Sequence, residues 1–235
     1  REGQVPPGPA FSAGGVAAAN ERAPGGRVLA VQHRQEGLFA DVACPFAHAG
    51  LRAFITYRRQ PGASEPRLVV RAWPLEIVND TPHSGSHLAP EIDALREGPA
   101  PDLFTGFTAD PFPGSTMAAL ASTAAAYRSG IAQGEAFSLA VRDALWEHGL
   151  DVDDPEVLAE LRRGLGVPDP TAEDEATVHA DLANGRARGV SGSPHFFTER
   201  GDFFCPSLDI DKDGERMRVT FDHEEFHRFV VAAFA

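Results

Sequence analysis

A cysteine directly before a proline is the residue with the clearest chemical potential in this sequence. Cys44 precedes Pro45, and proline is favoured in the first turn of a helix. This order places Cys44 at or next to a helix N-cap, where free backbone N–H groups and the positive helix end favour thiolate over thiol. A thiolate attacks disulfides, electrophilic carbons and activated double bonds. The alternative is a buried structural cysteine, which behaves as a small apolar side chain.

The position that would hold a second cysteine in a dithiol redox site is occupied by alanine. Ala47 stands three residues after Cys44, and an activated thiol without a resolving partner in its own motif favours a nucleophile over a disulfide exchanger. Cys205 is the only other cysteine in the chain. It is either a resolving thiol, a disulfide partner of Cys44 or, as we favour, a packed residue at a strand end.

Histidines offer candidates for proton transfer beside this thiol. His48 lies one helical turn after Cys44, and His195 begins a predicted strand. Each has a plainer interpretation, because His48 could be a partly exposed helix residue and His195 could face the opposite side of the sheet. His83 and His87 lie in a loop rich in Gly, Ser and Pro, and we interpret them as polar loop residues.

Two patterns resemble metal-binding motifs, but neither predicts a metal site. The stretch from His223 to His227 reads H-E-x-x-H, yet the usual downstream third ligand is missing and Asp222 already has a helix-capping explanation. The residues from Asp209 to Gly214 resemble the start of a calcium loop without its final glutamate. An Asp-Gly turn ahead of a strand explains them better, and we expect no metal.

The pattern of apolar residues, caps and turn residues predicts an α/β fold. The predicted elements, in order, are strand 27–32, helix 45–60, strand 67–73, a helical block over about 87–188, strands 194–198, 203–205 and 217–221, and a final helix after Asp222. The first strand, helix and strand form a crossover unit that should be right-handed and parallel. The chain then divides into a flexible segment 1–26, a first α/β part 27–82, a helical insertion 83–188 and a second α/β part 189–235.

Composition excludes several classes of function. The net charge of −13 argues against binding to nucleic acid or to anionic membrane surfaces, which both require a basic face. No apolar run is long enough to span a bilayer. No signal peptide is visible, and two cysteines do not make a disulfide scaffold, so we expect a reducing, cytoplasmic setting.

Three segments together resemble the thioredoxin-fold DsbA superfamily, which includes FrnE-like DsbA proteins and the group of 2-hydroxychromene-2-carboxylate isomerase and kappa-class glutathione transferase. They are Asp-Val-Ala-Cys-Pro-Phe at 41–46, Asp-Pro-Glu-Val-Leu at 154–158 and Gly-Val-Ser-Gly-Ser-Pro-His-Phe-Phe at 189–197. The resemblance implies a thioredoxin-like fold with an inserted all-helical subdomain. It also implies that Cys44 is the active-site thiol and that Pro194 is a cis-proline packed against it, with the backbone of Ser193 alongside.

This sequence departs from both branches of that superfamily. Redox members carry Cys-x-x-Cys, whereas Ala47 replaces the second cysteine here. Members of the isomerase group usually carry serine at the first position and bind glutathione there, whereas this chain keeps Cys44.

The leading hypothesis from sequence is a cis–trans isomerase of a conjugated small molecule or carrier-bound apolar substrate. Cys44 thiolate would add reversibly to a double bond, allow rotation and leave, with His48 or His195 as the proton carrier. The reaction requires no cofactor, and a homodimer is an open alternative. The residues expected to contact substrate are Pro45, Phe46, Trp73, Ser193 and Pro194, although each of these aromatic side chains could equally be ordinary core.

Two other functions stay open. One is a thiol–disulfide oxidoreductase or thiol-dependent reductase, which would form a mixed disulfide with glutathione or another low-molecular-weight thiol. The other is a non-catalytic binding protein in which Cys44 is unreactive and titrates like a free cysteine.

Overall fold

The structure is a computed structural model that describes residues 37–60, 67–214 and 216–234. Its strands are β1 Gly37–Ala40, β2 Val70–Ala72, β3 His195–Thr198, β4 Gly201–Phe204, β5 Leu208–Asp213 and β6 Arg216–Phe221. Its helices are α1 Pro45–Arg58, α2 Leu75–Val78, α3 Gly85–Glu97, α4 Met117–Ser129, α5 Ile131–Trp146, α6 Pro155–Leu165, α7 Ala172–Ala187 and α8 His223–Ala233.

A four-stranded mixed sheet with the order β2-β1-β3-β4 lies at the centre of the fold. Strand β1 runs parallel to β2 through the α1 crossover and antiparallel to β3, which pairs with β4. A parallel strand–helix–strand unit is therefore present, but its first strand is Gly37–Ala40, which was not predicted, and its right-handedness stays a prediction. The strand predicted at 27–32 lies outside the described residues.

The two faces of the sheet carry different aromatic clusters, because side chains alternate along a strand. Phe196 packs on one face against Phe229 of α8, with ring centroids 4.4 Å apart. Phe39 and Phe197 project from the other face, where Phe39 also meets Trp73 edge-on. Helices α1 and α8 therefore cover the first face, and α7 covers the second.

Glycine allows α7 to lie close to the second face. A Cβ atom at Gly185 would come within 2.5 Å of the Trp73 ring, which is closer than atoms can approach without displacement. Helix α7 starts with a capping box, in which Thr171 and Asp174 satisfy each other's backbone groups.

Side chains from the helical block cover the exposed edge of the sheet at β2. The N–H of Val70 donates to the Tyr127 hydroxyl (2.8 Å), and the N–H of Ala72 donates to the Asp181 carboxylate (3.1 Å). These bonds occupy backbone donors that would otherwise be available to another strand. They also fix α4 and α7 to the sheet.

The described residues between β2 and β3 contain helices and no strand, as predicted. All described residues belong to one compact unit, and the division of that unit at 83 and 189 stays a prediction. The predicted Asp-Gly turn ahead of a strand is present at Asp213 and Gly214, before β6, but the strand β5 that leads into it was not predicted. Asp209, Asp211 and Asp213 are strand residues of β5, paired with β6, and Gly214, with φ 60°, has the turn conformation.

Candidate active site

Cys44 is the N-cap of α1, as predicted. The N–H of Ala47 donates to the Cys44 sulfur (3.4 Å), and Pro45 occupies the first turn, where its missing N–H leaves no donor unsatisfied. The Cys44 thiol in turn donates to the carbonyl oxygen of Ser193 (3.0 Å). The Ser193–Pro194 peptide bond is cis. Cys44, Ser193 and Pro194 are thus brought together.

The prediction that Cys44 is a thiolate is wrong for this arrangement of the site. The side chain is 3% exposed, and burial raises its pKa from 9.0 to about 12 despite the contacts with Ser193 and Ala47, which lower it. A helix N-terminus favours an anion by about 1 kcal/mol, whereas this rise in pKa corresponds to about 4 kcal/mol. Desolvation therefore outweighs the helix terminus, and the sulfur is a protonated thiol.

Asp41 fixes the loop that carries Cys44. Its carboxylate accepts the N–H of Ala43 (3.0 Å) and the N–H of Leu75 (2.5 Å). Its own N–H donates to the Ser193 hydroxyl (3.0 Å), and its carbonyl accepts the buried Arg142 guanidinium (3.0 Å). The same residue therefore positions both the start of α1 and the loop on which the thiol rests.

A buried ionic cluster lies behind this loop. His83 Nε2 lies 2.9 Å from Glu76 and 3.4 Å from Asp41. Burial alone would lower the pKa of His83. The bonds to these two carboxylates outweigh burial and raise this pKa to about 9. Burial alone would raise the pKa of Glu76. The bonds from His83, Thr116 and Ser115 outweigh burial and lower this pKa to about 2. A protonated histidine therefore joins two carboxylates.

Asp41, Glu76 and His83 are also the side chains that could hold a metal ion in the described part of the chain. Each of their carboxylate oxygens already accepts a protein hydrogen bond, from backbone N–H groups, from Thr116 or Ser115, or from His83. We therefore assign them as a hydrogen-bonded ionic cluster. His83 lies in a loop, as predicted, but its ion pairs were not predicted, because the sequence does not show that the loop folds back onto Asp41. The prediction that His87 is a loop residue was wrong, because it is an exposed residue of α3.

His48 was predicted as a proton carrier for the thiol, but its Nε2 is bonded to another residue. The ring is buried, with Nε2 bonded to Glu147 (2.8 Å), and it packs edge-on against Phe104 and at a tilt against Trp146. Burial lowers its pKa, although the bond to Glu147 opposes this effect. A full turn of helix aligns Cα atoms, but the N-cap lies outside the helical φ/ψ region, and the polar partner of His48 is Glu147, the C-cap residue of α5.

His195 is likewise engaged away from Cys44. Its Nδ1 accepts the N–H of Ser191 (3.2 Å), its Nε2 bonds to Asp202 (3.0 Å), and its ring stacks on Phe197 at 4.6 Å. The shared face with Phe197 places His195 on the side of the sheet opposite Phe196. The plainer interpretation of this residue is therefore the correct one.

The predicted substrate contacts separate into two groups. Pro45, Ser193 and Pro194 lie at the thiol, and Phe46 is half-buried beside it. Trp73 does not join them, because it is 4% exposed and packed with Phe39 and Leu182 under α7. Trp73 is a core residue, which is the commoner role of an aromatic side chain.

A cavity of about 390 Å³ opens along α1 beyond Cys44. It is lined on the helix side by Ala49 and Arg52 and on the opposite side by Ser207, two residues after Cys205. Cys44 itself does not line this cavity. Both cysteines are free and buried.

The residue directly before the H-E-x-x-H stretch caps a helix, as predicted. Asp222 is the N-cap of α8 and accepts the N–H of Glu225 (2.9 Å). His223 and His227 belong to no cluster of metal ligands among the described residues. No helix in the described part of the chain has the length and apolar composition needed to cross a membrane.

Comparison with known structures shows the fold. A 2-hydroxychromene-2-carboxylate isomerase superposes with a TM-score of 0.54 at 16% identity, covering 72% of this chain and 87% of the isomerase. A protein from Nitrosomonas europaea, described as a candidate protein disulfide isomerase, gives 0.53 at 16% identity, covering 84% and 96%. The cytosolic disulfide reductase DsbM from Pseudomonas aeruginosa, solved with GSH, gives 0.49 at 17% identity, covering 72% and 87%.

Sequence comparison identifies the family. No curated protein is significantly similar in sequence to this chain. The profile of the DSBA-like thioredoxin domain, however, matches residues 37–213, a range that runs from β1 to the end of β5 and includes Cys44, Ser193 and Pro194. Because this match covers most of the chain, the protein belongs to the family of DSBA-like thioredoxin domains.

Proposed function

We propose that this protein is a thiol–disulfide oxidoreductase that acts as a reductase through a mixed disulfide at Cys44. The observation that carries the proposal is the contact of the Cys44 sulfur with the carbonyl of Ser193, directly before Pro194. This contact places a nucleophilic atom at the start of a helix and against an ordered backbone loop. A sulfur in that position can form and break a bond with another sulfur when the loop opens.

The surroundings of Cys44 favour disulfide chemistry over the isomerisation that the sequence suggested first. Addition to a double bond needs a proton carrier beside the thiol. The two candidates, His48 and His195, are bonded to Glu147 and to Ser191 and Asp202 instead. Exchange between sulfurs needs only deprotonation of the attacking thiol, which can occur when the loop opens to water.

The protonation state of Cys44 supports the reducing direction. Strongly oxidising members of thiol–disulfide systems owe their potential to a stabilised thiolate in the reduced form. Burial of Cys44 raises its pKa, so the reduced form of this site gains no such stabilisation. A couple of this kind donates electrons more readily than it accepts them, which suits a cytoplasmic, reducing setting.

The proposed cycle balances with one external reagent. Cys44 thiolate attacks one sulfur of a small apolar disulfide, and the displaced thiolate takes up a proton and leaves as a thiol. Glutathione or another low-molecular-weight thiol then attacks the substrate sulfur of the mixed disulfide, which releases Cys44 thiolate and leaves the thiol and the substrate joined as a disulfide. A second thiol molecule reduces that disulfide, so two external thiols are oxidised for each substrate disulfide that is reduced to two thiols. A substrate of apolar character fits the surroundings of the sulfur, which packs in one cluster with Leu38 and Phe196.

A cis–trans isomerase acting by reversible addition of Cys44 stays the second candidate. The observation that favours it is Ala47, which is fully buried at the position of a second cysteine and leaves only apolar surface beside the sulfur within α1. When the loop opens, a conjugated hydrocarbon segment would meet an apolar side chain at this position.

Both functions require the sulfur of Cys44, and they differ in the substrate on which it acts. We expect wild-type protein with glutathione to reduce a small apolar disulfide faster than glutathione alone, and Cys44→Ser to lose at least about 100-fold of this added rate, since serine is not a sulfur nucleophile. Thr123→Ser, a buried change inside α4 that keeps the hydroxyl bonded to Ala119, is the control for folding. Full disulfide reduction by Cys44→Ser would refute the reductase, and full turnover of a cis-configured conjugated enone by the same variant would refute the isomerase. Cys44-dependent turnover of the enone without disulfide reduction would select the isomerase.

A further inference from the structure

A second thiol lies at the same loop as Cys44. The N–H of Cys205 donates to the carbonyl of Pro194 (2.9 Å), while the thiol of Cys44 donates to the carbonyl of Ser193 (3.0 Å). Two cysteines far apart in sequence are therefore anchored to consecutive residues of one backbone loop. Cys205 reaches this place because β4 runs antiparallel to β3, with Phe204 opposite His195.

The electrostatic behaviour of the two cysteines indicates that they are neighbours. Cys205 is 4% exposed. Burial raises its pKa, and the charge of an ionised Cys44 raises that pKa further. Such an interaction between two thiols means that each is sensitive to a change in the bonding of the other.

The turn that carries Cys205 has two features that a purely structural turn would avoid. Cys205 has φ 49°, a left-handed conformation that is unfavourable for a residue with a side chain. Two residues later, the Ser207 hydroxyl is buried without a hydrogen-bond partner among the described residues. Buried unsatisfied groups and strained backbones occur together at sites that change conformation or take part in redox chemistry. Ser207 also lines the cavity along α1.

We propose that Cys205 is the resolving thiol for bonds made at Cys44, a role that Ala47 cannot fill. This inference rests on the proposed reductase function. In the step concerned, Cys205 thiolate attacks the Cys44 sulfur of a mixed disulfide, forms a Cys44–Cys205 disulfide and displaces the substrate sulfur as a thiol after protonation. The protein thus gives two electrons to the substrate disulfide, and an external dithiol returns them by reducing the intramolecular disulfide.

Oxidation of the full-length chain tests whether the pair forms. Reduced protein is treated with glutathione disulfide, quenched in acid, alkylated and digested, and the peptides are identified by mass spectrometry. We expect a cross-linked pair of peptides containing Cys44 and Cys205 in the wild type. In Cys205→Ser we expect the glutathione mixed disulfide to accumulate at Cys44, and we expect turnover with dithiothreitol to fall at least about tenfold, because thiol exchange through an external reagent replaces an intramolecular step.

Two further variants separate the role of the thiol from that of the fold. Cys205→Gly removes the sulfur and favours the left-handed conformation, so it should trap the mixed disulfide as Cys205→Ser does. Asp209→Asn changes an exposed side chain just after the same turn and keeps both thiols, and it should behave as the wild type. Thermal unfolding of each variant identifies any that is misfolded.

The failures of the two proposals are distinguishable. One outcome is that Cys44 forms the glutathione mixed disulfide, the wild type gives no cross-linked peptide, and Cys205→Gly turns over like the wild type. Cys205 is then not the resolving thiol, and the reductase proposal stands. If Cys44 forms no mixed disulfide in any variant, the reductase proposal fails and the resolving role fails with it.

Discussion

The ionic cluster behind the active-site loop predicts an unusual dependence of stability on pH. His83 lies between the carboxylates of Glu76 and Asp41, with its side chain 7% exposed. These contacts raise its pKa from 6.5 to about 9. A group whose pKa is higher in the folded state contributes stability that is fully present below about pH 6.5 and is lost as pH rises through about 9. We therefore expect His83→Gln to remove this dependence.

The magnitude follows from the two pKa values. A histidine with a pKa of about 9 when folded and 6.5 when unfolded stabilises the protein by about 3 kcal/mol at about pH 5.5 and by less than about 1 kcal/mol at about pH 8.5. The wild type should thus lose up to about 2.5 kcal/mol more than His83→Gln between these values. Glu76, whose pKa is lowered to about 2, stays ionised across the whole range.

Other groups titrate in the same range, so the comparison must be with the variant rather than with a fixed baseline. Burial lowers the pKa of His48, and its contribution therefore grows as pH rises through the unfolded value, opposite in sign to that of His83. The raised pKa of Cys44 lowers stability only above about pH 8.5, where an unfolded cysteine ionises. These effects are common to both proteins and cancel in the difference.

Urea unfolding at several pH values measures the difference directly. Fluorescence of the buried tryptophans reports the transition, and the free energy of unfolding is extrapolated to water for each protein. Addition of EDTA should leave the curves unchanged, because protein hydrogen bonds occupy the carboxylate oxygens. Parallel profiles for wild type and His83→Gln would refute the assignment of a charged histidine, and a shift caused by EDTA would refute the assignment of a metal-free cluster.

Three further predictions test other parts of the structure. Gly185→Ala should lower the free energy of unfolding by about 1–3 kcal/mol, because its Cβ would meet Trp73. Gly164→Ala, in open space on α6, should raise the free energy of unfolding by about 0.5–1 kcal/mol. Equal effects of the two variants in chemical denaturation would contradict the packing described. Glu135→Gln should cost about 3–5 kcal/mol in the same assay, since it removes the buried carboxylate from two arginines. Alkylation of Cys44 by iodoacetamide should rise about tenfold per pH unit up to about pH 10 without a plateau; a plateau near pH 8.5 would show an ordinary exposed thiol.

Much of the fold could be predicted from sequence because its signals are local. Proline at the start of α1, the Thr171–Asp174 capping box and the Asp222 cap each depend on residues within one turn of one another. Strand β1 was missed because it has only four residues and follows no turn signal, so a longer apolar run upstream was preferred. The β5 strand was missed because its alternating aspartates are typical of a loop in composition.

The candidate site was predicted at its backbone but not at its side chains. A helix start and a Gly-Ser-Pro turn are visible in sequence, and they meet at Cys44 and Ser193. The partners of His48 and His83 lie on distant elements, at Glu147 and Asp41. Spacing along one helix could not reveal them. The state of the thiol depends on how completely neighbouring elements cover it, which no local pattern records.

Burial and reactivity at Cys44 are two results of one packing arrangement. The loop of Asp41 holds Ser193 through its own N–H, and Ser193 covers the sulfur with its carbonyl. Any motion that frees the sulfur must therefore stretch the Asp41–Ser193 bond, while the rest of the ionic cluster can stay intact. Water then reaches the helix N-terminus, where backbone N–H groups stabilise an anion. The helix-terminus effect inferred from the sequence is thus expected in the open state, and desolvation governs the closed one.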